Sequence, residues 1–170
     1  MPTSSTVHGA DRCRVVESPI GRILLVGRTG ILTGLYLADH ENCPPLDPSW
    51  IDDDGAFADV VTQLSEYFAG TRQKFDVTVE LHGTEFQRQV WNALLEVPYG
   101  RTASYGDIAN DIGRPTAVRA VGLANGANPV SIIVPCHRVI GASGTLTGYG
   151  WGVERKRWLL EHESGASPLL

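Results

Sequence analysis

One short run in the second half of the chain, residues 132–140, constrains the fold more than any other stretch. It places a thiol and an imidazole, Cys136 and His137, side by side inside an otherwise apolar sequence. A free cysteine flanked by Ile, Val and Pro is ordinarily a small buried hydrophobe, and this is one interpretation of the run. A buried strand has little use for His137 and Arg138 directly after the thiol, whereas an activated thiolate needs a base and nearby positive charge. The run therefore predicts either a core cysteine or a positioned nucleophile.

The length and composition of the chain bound its domain number and its location. With 170 residues, 42% of them hydrophobic, it can bury one good core or two small ones that share an interface. No apolar run reaches the roughly 18 residues needed to cross a membrane, and the first residues lack the basic start and apolar centre of a signal peptide. We therefore expect a cytoplasmic protein of one or two domains, with no membrane partner.

The cysteines do not predict a disulfide or a metal centre. Cys13, Cys43 and Cys136 include no C-x-x-C pair, so neither a disulfide framework nor a zinc knuckle is indicated. The spacing of His40, Cys43 and His82 fits no standard metal-ligand pattern. We expect no metal and no cofactor.

Charge is unevenly distributed along the chain, whose formal net charge is -5. Residues 1–84 hold 6 Lys and Arg against 12 Asp and Glu, while residues 85–170 hold 8 against 7. The acidic first half is a poor surface for nucleic acid. The basic residues of the second half suit contact with a few phosphates; they include Arg114, Arg119, Arg138, Arg155, Lys156 and Arg157.

The first half predicts a small antiparallel sheet with one helix packed on it, in a domain that spans residues 1–83. Strands are predicted at 13–17, 22–27, 31–37 and 75–81, the second and third joined as a hairpin through residues 28–30. Residues 39–55 are rich in Asp and Pro and predict an exposed loop, whereas helical spacing of apolar residues predicts a helix over 57–68 that Gly70 ends. Nothing in this half resembles a catalytic constellation, so we interpret it as a scaffold preceded by a loose tail at 1–10.

The second half, residues 84–170, is predicted to be mostly helical. Thr84 and Gln87 have the Thr-x-x-Gln form of a capping box and open a helix that continues through Leu94. Ser104 is a second N-cap candidate, for a helix over 105–112, and another helix covers 117–125. Two short helices joined by a glycine-containing turn predict a helix-turn-helix. A wing or hairpin loop over 141–145, a glycine-rich pocket wall over 147–152, a helix over 154–163 and a frayed tail from 164 complete this half.

The helix predicted at 117–125 is lined with small residues, which limits what it could recognise. A helix that reads the major groove carries several Asn, Gln, Arg or Lys side chains, whereas here only Arg119 and Asn125 have long reach. Small side chains let the backbone approach sugar and phosphate in a narrow groove, and Arg119 could enter the base stack. The alternative is an ordinary core helix packed against a neighbour. The small residues are Ala117, Ala120, Gly122, Ala124 and Gly126.

A cysteine, a histidine and a glutamate could form a reactive set around the apolar run. Adjacent residues of an extended segment point to opposite faces, so Cys136 and His137 need a bridging water unless the backbone turns between them. His137 also needs an acceptor on its other ring nitrogen; Glu163 is a candidate, although a surface glutamate is the common alternative. Two functions stay open on chemistry alone: a cysteine hydrolase with an oxyanion hole and a DNA-directed alkyl acceptor with a base pocket.

The sequence resembles a known family, the O6-alkylguanine-DNA alkyltransferases, also called methylated-DNA–protein-cysteine methyltransferases. The signature is the pentapeptide Pro-Cys-His-Arg-Val at residues 135–139. Matching segments in the second half are 86–91, 98–100, 104–105, 119–122, 128–129 and 159–163, and weaker ones in the first half are 18–21 and 67–70. The resemblance covers about residues 9–163.

The resemblance implies an RNase H-like first domain, a winged helix-turn-helix second domain, and a DNA repair protein that acts once. Such a protein flips an O6-alkylated guanine out of double-stranded DNA through the minor groove, without sequence preference, and takes the alkyl group onto its own cysteine; O4-alkylthymine is implied as a second lesion. By position, Cys136 resembles the acceptor, His137 the base that works through a water, and Glu163 the carboxylate that orients His137. Asn128 resembles the hinge residue that holds the active-site segment. The product thioether has no hydrolytic exit, and the free protein is expected to be a monomer.

The resemblance also assigns residues to the DNA and to the lesion pocket. Arg119 resembles the finger that fills the space of the flipped nucleotide, and Tyr105 resembles the phenol that rotates the 3′-phosphate and donates a proton to the departing guanine. The backbone of Val139, and of Tyr149 with Gly150, would recognise the guanine edge. The remaining DNA contacts are expected at Ala117, Ala120, Gly122 and Asn125.

Two departures from the family pattern carry predictions. Trp151 is bulky where many members keep small residues, so we expect a pocket that accepts methyl well and benzyl-sized groups poorly. Arg28 stands where one zinc-ligating cysteine of some relatives would be, and Cys13 is out of register, so we expect no structural zinc. A non-catalytic lesion-binding relative would lack the cysteine found here at position 136. The rival from another class is a winged-helix DNA-binding regulator without chemistry.

Overall fold

The computed structural model describes residues 11–146 and 149–165. The tail predicted at 1–10, residues 147–148 of the predicted pocket wall and residues 166–170 lie outside the described residues. Ser164 belongs to the last helix, so the prediction that the chain frays from that residue is wrong. Within the described part of the chain, no helix is long and apolar enough to span a membrane.

The first half contains a four-stranded sheet. Its strands are β1 (Arg12–Val16), β2 (Ile23–Arg28), β3 (Ile31–Leu37) and β4 (Ile51–Asp52), in the order β3-β2-β1-β4. The antiparallel pairing of β1, β2 and β3 is confirmed. β4 lies inside the segment predicted as a loop and pairs parallel with β1. Its acidic sequence carries no strand signal because the pairing rests on backbone hydrogen bonds at the sheet edge, at Ile51 and Asp53.

The prediction of a strand at 75–81 is wrong, although the alternation behind it is real. The segment is extended and packs Phe75, Val77, Val79 and Leu81 against the core. Its only pairing with β3 is an isolated bridge between Val79 and Leu32, made by Leu32 N to Thr78 O at 2.9 Å and Glu80 N to Leu32 O at 3.0 Å. Alternation reports which side chains are buried, whereas a ladder also needs consecutive backbone pairs.

Helix α1 (Ala58–Phe68) matches the helix predicted in the first half. It buries Val60, Leu64 and Tyr67 in the same hydrophobic core as β2 and β3. Gly70 follows its end with a φ of 82°, in the left-handed region that glycine adopts without strain. The helix therefore begins and ends where its sequence predicts, within one residue.

The second half is mostly helical, as predicted. Its helices are α2 (Glu85–Leu94), α3 (Tyr105–Asp111), α4 (Val118–Gly126) and α5 (Val153–Ser164). Capping boxes form at both predicted N-caps, Thr84 and Ser104. Helices α3 and α4 pack on each other and on α2. The strand before the predicted wing loop, β6 (Val139–Ile140), pairs in parallel with β5 (Ala103–Ser104), and a tight turn follows at 141–144.

The two halves share one hydrophobic core, and backbone contacts join them beside the reactive residues. The Leu35 amide in β3 donates to the Pro129 carbonyl at 2.8 Å, and Leu35 forms a parallel bridge with Val130. Both Leu35 and Val130 are fully buried. The segment that leads from α4 to Cys136 is therefore held against the central sheet of the first half.

Candidate active site

Tight backbone turns bring the reactive residues together. Residues 136–138 form a turn of 3₁₀ helix, in which Arg138 N donates to Pro135 O at 3.0 Å. Of the two possibilities that the sequence left open, an extended segment or a turn, the structure has the turn, which begins directly after Pro135. Ile132 also has a φ of 74°, a conformation that a β-branched residue rarely adopts. Cys136, His137 and Arg138 are all buried, which places the thiol and the imidazole inside the protein on the same turn.

His137 and Glu163 form a buried pair across 26 residues of chain. His137 Nε2 lies 2.7 Å from Glu163 Oε2. Arg138 binds the same carboxylate, with Nε 2.8 Å from Oε1 and Nη2 3.1 Å from Oε2, and its Nη1 donates to the Val97 carbonyl. His137 Nδ1 is buried and has no hydrogen-bond partner among the described residues. One ring nitrogen is thus held by a carboxylate, and the other is open to exchange a proton.

Burial and charge set the protonation of this pair. Burial lowers the pKa of His137, and the positive charges of Arg138 and Lys156 add to the lowering, against the hydrogen bond and charge of Glu163. Burial alone would raise the pKa of Glu163, but the hydrogen bonds and charges of His137 and Arg138 hold it well below its usual range. Glu163 is therefore ionised and compensated by Arg138, while His137 rests as a neutral imidazole.

Cys136 is held as a thiol in the free protein. Burial raises its pKa, against smaller lowering effects from hydrogen bonds to Asn128 and Ser131 and from the Lys156 charge. Its Sγ lies 3.9 Å from Ser131 Oγ. The resting site therefore holds no ready thiolate, so a nucleophilic reaction of this sulfur needs a base that takes the thiol proton as the sulfur attacks.

Two of the basic residues predicted to contact phosphates lie inside the protein. Lys156 is fully buried, and its Nζ donates to the Val139 carbonyl. Its ammonium lies 5.8 Å from the ring centroid of Tyr105 and 5.9 Å from that of Tyr149. Arg138 is occupied by Glu163, as described above. The prediction of phosphate contacts is therefore wrong for Lys156 and Arg138, because a run of basic residues does not show which of its members faces inward.

Two asparagines hold the turn that carries the thiol. Asn128 Nδ2 donates to the Val134 carbonyl at 2.7 Å, and its Oδ1 accepts from the Val130 amide at 2.9 Å. These two bonds tie Asn128 to both ends of the segment 130–134 that precedes Cys136. Asn125, expected at the DNA surface, is 1% exposed and donates to the Cys136 carbonyl at 3.2 Å. We correct that assignment, because the side chain supports the active-site turn from inside.

A cavity of about 300 Å³ opens beside Cys136. Trp151 is 6% exposed and contacts Tyr149 edge-on, with the ring centroids 6.0 Å apart. The Tyr149 hydroxyl is buried without a hydrogen-bond partner among the described residues, and Asn42 Nδ2 donates to the Gly150 carbonyl at 2.7 Å. The lining residues are Tyr36, Asn42, Asn125, Gly126, Ala127, Asn128, Pro129, Ser131, Cys136, Tyr149, Gly150 and Trp151.

The structure brings three of the four predicted pocket residues to this cavity. Tyr149, Gly150 and Trp151 line it, whereas Val139 does not. Val139 is fully buried, and its carbonyl accepts from Lys156. Its predicted part in guanine recognition has no support in this arrangement.

The predicted DNA-contact helix presents a small-residue surface. Arg119 and Ala120 are exposed, and Ala117 and Gly122 are partly so. A Cβ added at Gly122 would lie 3.9 Å from the Tyr105 ring, so α4 packs close to the start of α3. Tyr105 thus stands between the α4 surface and the buried Lys156 beside the site.

The first half contributes groups that were not expected at the site. Tyr67 of α1 is fully buried, and its hydroxyl donates to Glu163 Oε2 at 2.6 Å. Tyr36 and Asn42 line the cavity. The interpretation of this half as a scaffold alone is therefore wrong. Tyr67 has the sequence signal of a core aromatic, and only the spatial position of Glu163 reveals the use of its hydroxyl.

The residues considered as metal ligands do not assemble. His82 Nε2 pairs with Glu80 at 2.6 Å, and His40 Nδ1 accepts from the Asn42 amide. Among residues 11–146 and 149–165, no group of three His, Cys, Asp or Glu side chains could hold a metal ion. Arg28, at the position of a zinc ligand in some relatives, binds Glu80 at 2.7 Å.

Comparisons with known proteins match nearly the whole described chain. Residues 12–81 match the ribonuclease-like domain of 6-O-methylguanine DNA methyltransferase, and residues 85–165 match its DNA-binding domain. A methylated-DNA–protein-cysteine methyltransferase from Mycobacterium tuberculosis is 56% identical over 155 residues, which cover 91% of this chain and 93% of the relative. One from Methanosarcina acetivorans is 50% identical over 149 residues, which cover 88% and 96%. The crystal structure of Mycobacterium tuberculosis OGT in complex with DNA superposes with a TM-score of 0.87 at 54% identity, covering 92% of this chain and 95% of that one.

Proposed function

The chain belongs to the 6-O-methylguanine DNA methyltransferase family, and on that premise we propose that it repairs DNA by transferring the alkyl group of O6-alkylguanine to Cys136. The activity is that of a methylated-DNA–protein-cysteine S-methyltransferase. The observation that carries the choice of residue is the position of Cys136, which is buried yet lines a cavity and precedes a histidine paired with a carboxylate.

The geometry supports His137 as the base of the transfer. Its Nε2 is held by Glu163, so Nδ1 is the nitrogen that can accept the thiol proton, with a water bridging it to Sγ. Sγ then bonds to the alkyl carbon as the bond from that carbon to O6 breaks, and the electron pair stays with the guanine. The Tyr105 hydroxyl supplies the proton that neutralises the departing guanine. Because the thioether cannot be hydrolysed, each molecule acts once and needs no cofactor.

DNA is the partner that the family implies, and a relative has been solved with DNA bound. We propose that α4 enters the minor groove without sequence preference, since Arg119 is the one polar side chain among its exposed residues, which are Val118, Arg119, Ala120, Leu123 and Gly126. Arg119 fills the space of the flipped nucleotide, while Ala117, Ala120 and Gly122 let the backbone approach the phosphates. Asn128 keeps the turn that carries Cys136 in place beneath the flipped base.

The finer properties of the protein follow from the same proposal. O4-alkylthymine presents the same alkyl-oxygen bond, so it is a second substrate. Tyr149 and Gly150 contact the guanine edge from the cavity wall. We place the protein in the cytoplasm as a monomer when free of DNA, and we assign residues 1–83 and 84–170 to its two domains.

The proposal is tested by weighing the protein after incubation with duplex DNA that carries O6-methylguanine. We expect the gain in mass for replacement of one thiol hydrogen by a methyl group, mapped to the peptide that contains Cys136. The variant Cys136→Ala should gain nothing, whereas the matched variants Cys13→Ala and Cys43→Ala should gain the same mass as the parent.

The other outcomes separate the rival functions. Repair that continues beyond one equivalent of protein would indicate a hydrolase. Binding to the duplex with unchanged mass in every variant would indicate a regulator without chemistry, and would falsify the transferase proposal.

A further inference from the structure

Tyr67 extends from the first half of the chain into the active site of the second. It lies in the last turn of α1, is fully buried, and its hydroxyl donates to Glu163 Oε2 at 2.6 Å. Aromatic rings fix its orientation: the centroids of Phe68 and Phe75 lie 5.2 and 5.4 Å from its own, and that of Tyr99 lies 6.2 Å away. A phenol enclosed in this way has one direction in which to donate, toward the carboxylate.

The carboxylate oxygen that accepts from Tyr67 is the one that holds His137. Glu163 Oε2 lies 2.6 Å from the Tyr67 hydroxyl, 2.7 Å from His137 Nε2 and 3.1 Å from Arg138 Nη2. Three donors therefore share one oxygen. Because an acceptor that serves several donors serves each of them less strongly, the Tyr67 hydroxyl weakens the hold of this oxygen on the imidazole.

We infer that Tyr67 is a positioning residue of alkyl transfer, contributed by the first half of the chain, which fixes the Glu163 carboxylate and shares the oxygen that accepts from His137. The inference rests on the proposed function, since it assigns His137 as the base. Tyr67 acts through Glu163 and does not itself touch the reacting atoms.

The charged and titratable groups around His137 determine the sign of the effect. From α5, Glu163 raises the pKa of His137 while Lys156 lowers it, and from its own turn Arg138 lowers it. Four further groups stay uncharged at neutral pH, because burial raises the pKa of each one; they are Cys136 on the same turn, Tyr67 in α1, Tyr99 after α2 and Tyr149 before α5. The His162 ring of α5 contacts Tyr67, with the centroids 5.2 Å apart, and its Nε2 lies 2.6 Å from the Tyr67 carbonyl. Glu163 is therefore the one negative charge among these groups.

Loss of the Tyr67 hydroxyl leaves two donors, His137 and Arg138, on Glu163 Oε2 in place of three. The carboxylate then stabilises an imidazolium more strongly, so the pKa of His137 rises. A general base works only in its neutral form, so the transfer rate increases as pH rises through the pKa of His137. Removal of the hydroxyl should move this acid limb of the rate profile to higher pH.

The experiment measures single-turnover methyl transfer from saturating duplex DNA that carries O6-methylguanine, between about pH 5 and about pH 8. In Tyr67→Phe we expect the acid limb of the rate profile to move to higher pH by about 0.5 to 1 pH unit. Transfer should then be roughly three- to tenfold slower on the acid side, and the plateau rate at high pH should stay within about twofold of the parent. Tyr99→Phe is the matched control. Its hydroxyl belongs to the same aromatic cluster but does not bind Glu163, and its profile should superimpose on that of the parent.

A second variant covers the case in which Tyr67→Phe does not fold. Replacement of Tyr67 by 3-fluorotyrosine keeps the hydroxyl and makes it a stronger donor, so the acid limb should move to lower pH. Titration of the His137 ring by NMR in the free protein should show a higher His137 pKa in Tyr67→Phe and a lower one with 3-fluorotyrosine. A merely structural role would slow transfer equally at every pH and would leave both titrations unchanged.

The outcomes distinguish this inference from the proposed function. If the parent protein methylates Cys136 and the Tyr67 variants share its acid limb, the positioning role is wrong and the transferase stands. If the parent protein itself gains no methyl group, the proposed function fails.

Discussion

At the scale of single residues, Trp151 is the side chain that we expect to limit the size of the alkyl group that the site accepts. It lines the cavity beside Cys136, is 6% exposed, and is backed edge-on by Tyr149. An alkyl carbon must lie within bonding reach of Sγ while the rest of the group finds space in a cavity of about 300 Å³. An indole on the wall leaves room for methyl more readily than for a benzyl ring.

We predict that Trp151→Gly widens the range of alkyl groups. Labelling by O6-benzylguanine should become about tenfold faster or more, the size of effect that one steric contact in a pocket produces, while methyl transfer from duplex DNA should change by no more than about threefold. Rates of labelling by mass spectrometry provide the measurement. Trp158→Phe, in α5 and away from the cavity lining, is the control and should behave as the parent. Equal benzyl labelling of parent and Trp151→Gly would contradict the assignment.

How far the site could be predicted depended on whether its partners are neighbours in sequence. Cys136 and His137 are adjacent, so their pairing is visible in the chain, whereas the hydroxyl of Tyr67 and the carboxylate of Glu163 are separated by 96 residues. Lys156 was misplaced because it stands within a basic run, although its spacing from Leu159 and Glu163 puts all three on one face of α5. Asn125 was misplaced because a helix of small residues carries no stripe to show which side faces inward.

At the scale of elements, the helices were predicted well because their ends carry local chemistry. The hydroxyls of Thr84 and Ser104 each accept from the amide three residues later, and their own amides donate the reciprocal bonds to the side chains of Gln87 and Asp107. The sequence therefore predicts where α2 and α3 begin. The strands β4, β5 and β6 each span two residues and depend on a partner distant in sequence. No local pattern could have located them.

We predict that Thr84→Ala lowers the free energy of unfolding by about 1 kcal/mol, because α2 loses the bond that the Gln87 amide donates to the Thr84 hydroxyl oxygen. The transfer rate per folded molecule should stay unchanged, since Thr84 lies outside the cavity lining. Urea unfolding measures the first effect and single-turnover methylation the second. Thr84→Ser keeps a hydroxyl and should retain most of the stability; an equal loss in both variants would rule out the capping explanation.

At the scale of the whole molecule, the net charge predicts that electrostatic attraction contributes little to the free energy of DNA binding. The net charge is -5, and two basic residues of the second half, Arg138 and Lys156, are buried. Few phosphates can therefore be neutralised. Under the proposed function, affinity comes instead from the close fit of α4 and from capture of the flipped base in the cavity.

We predict a slope of about -2 to -4 for the logarithm of the DNA-binding constant against the logarithm of salt concentration, because each phosphate contact contributes about -0.9. Arg119→Ala should weaken binding by about tenfold or more without altering the slope, since Arg119 acts as a wedge in the base stack. Fluorescence anisotropy at several salt concentrations provides the measurement.

Arg22→Ala is the control for this measurement, because Arg22 pairs with Asp39 in the first half, and it should bind as the parent does. A slope reduced by about one in Arg119→Ala would show that Arg119 contacts a phosphate instead.

The shared carboxylate of Glu163 also bears on the order in which the site is assembled during translation. A nascent chain is extruded from its amino end and its domains fold in that order, so Tyr67 is in place first, the thiol and imidazole emerge next, and Glu163 arrives 26 residues after His137. Until α5 folds and packs against the turn at 136–138, neither His137 nor Arg138 has the Glu163 carboxylate as its partner. A chain that ends between these positions therefore contains Cys136 and His137 but lacks the carboxylate that binds the imidazole. Under the proposed function, the carboxylate that supports the base is thus translated after the nucleophile that the base activates.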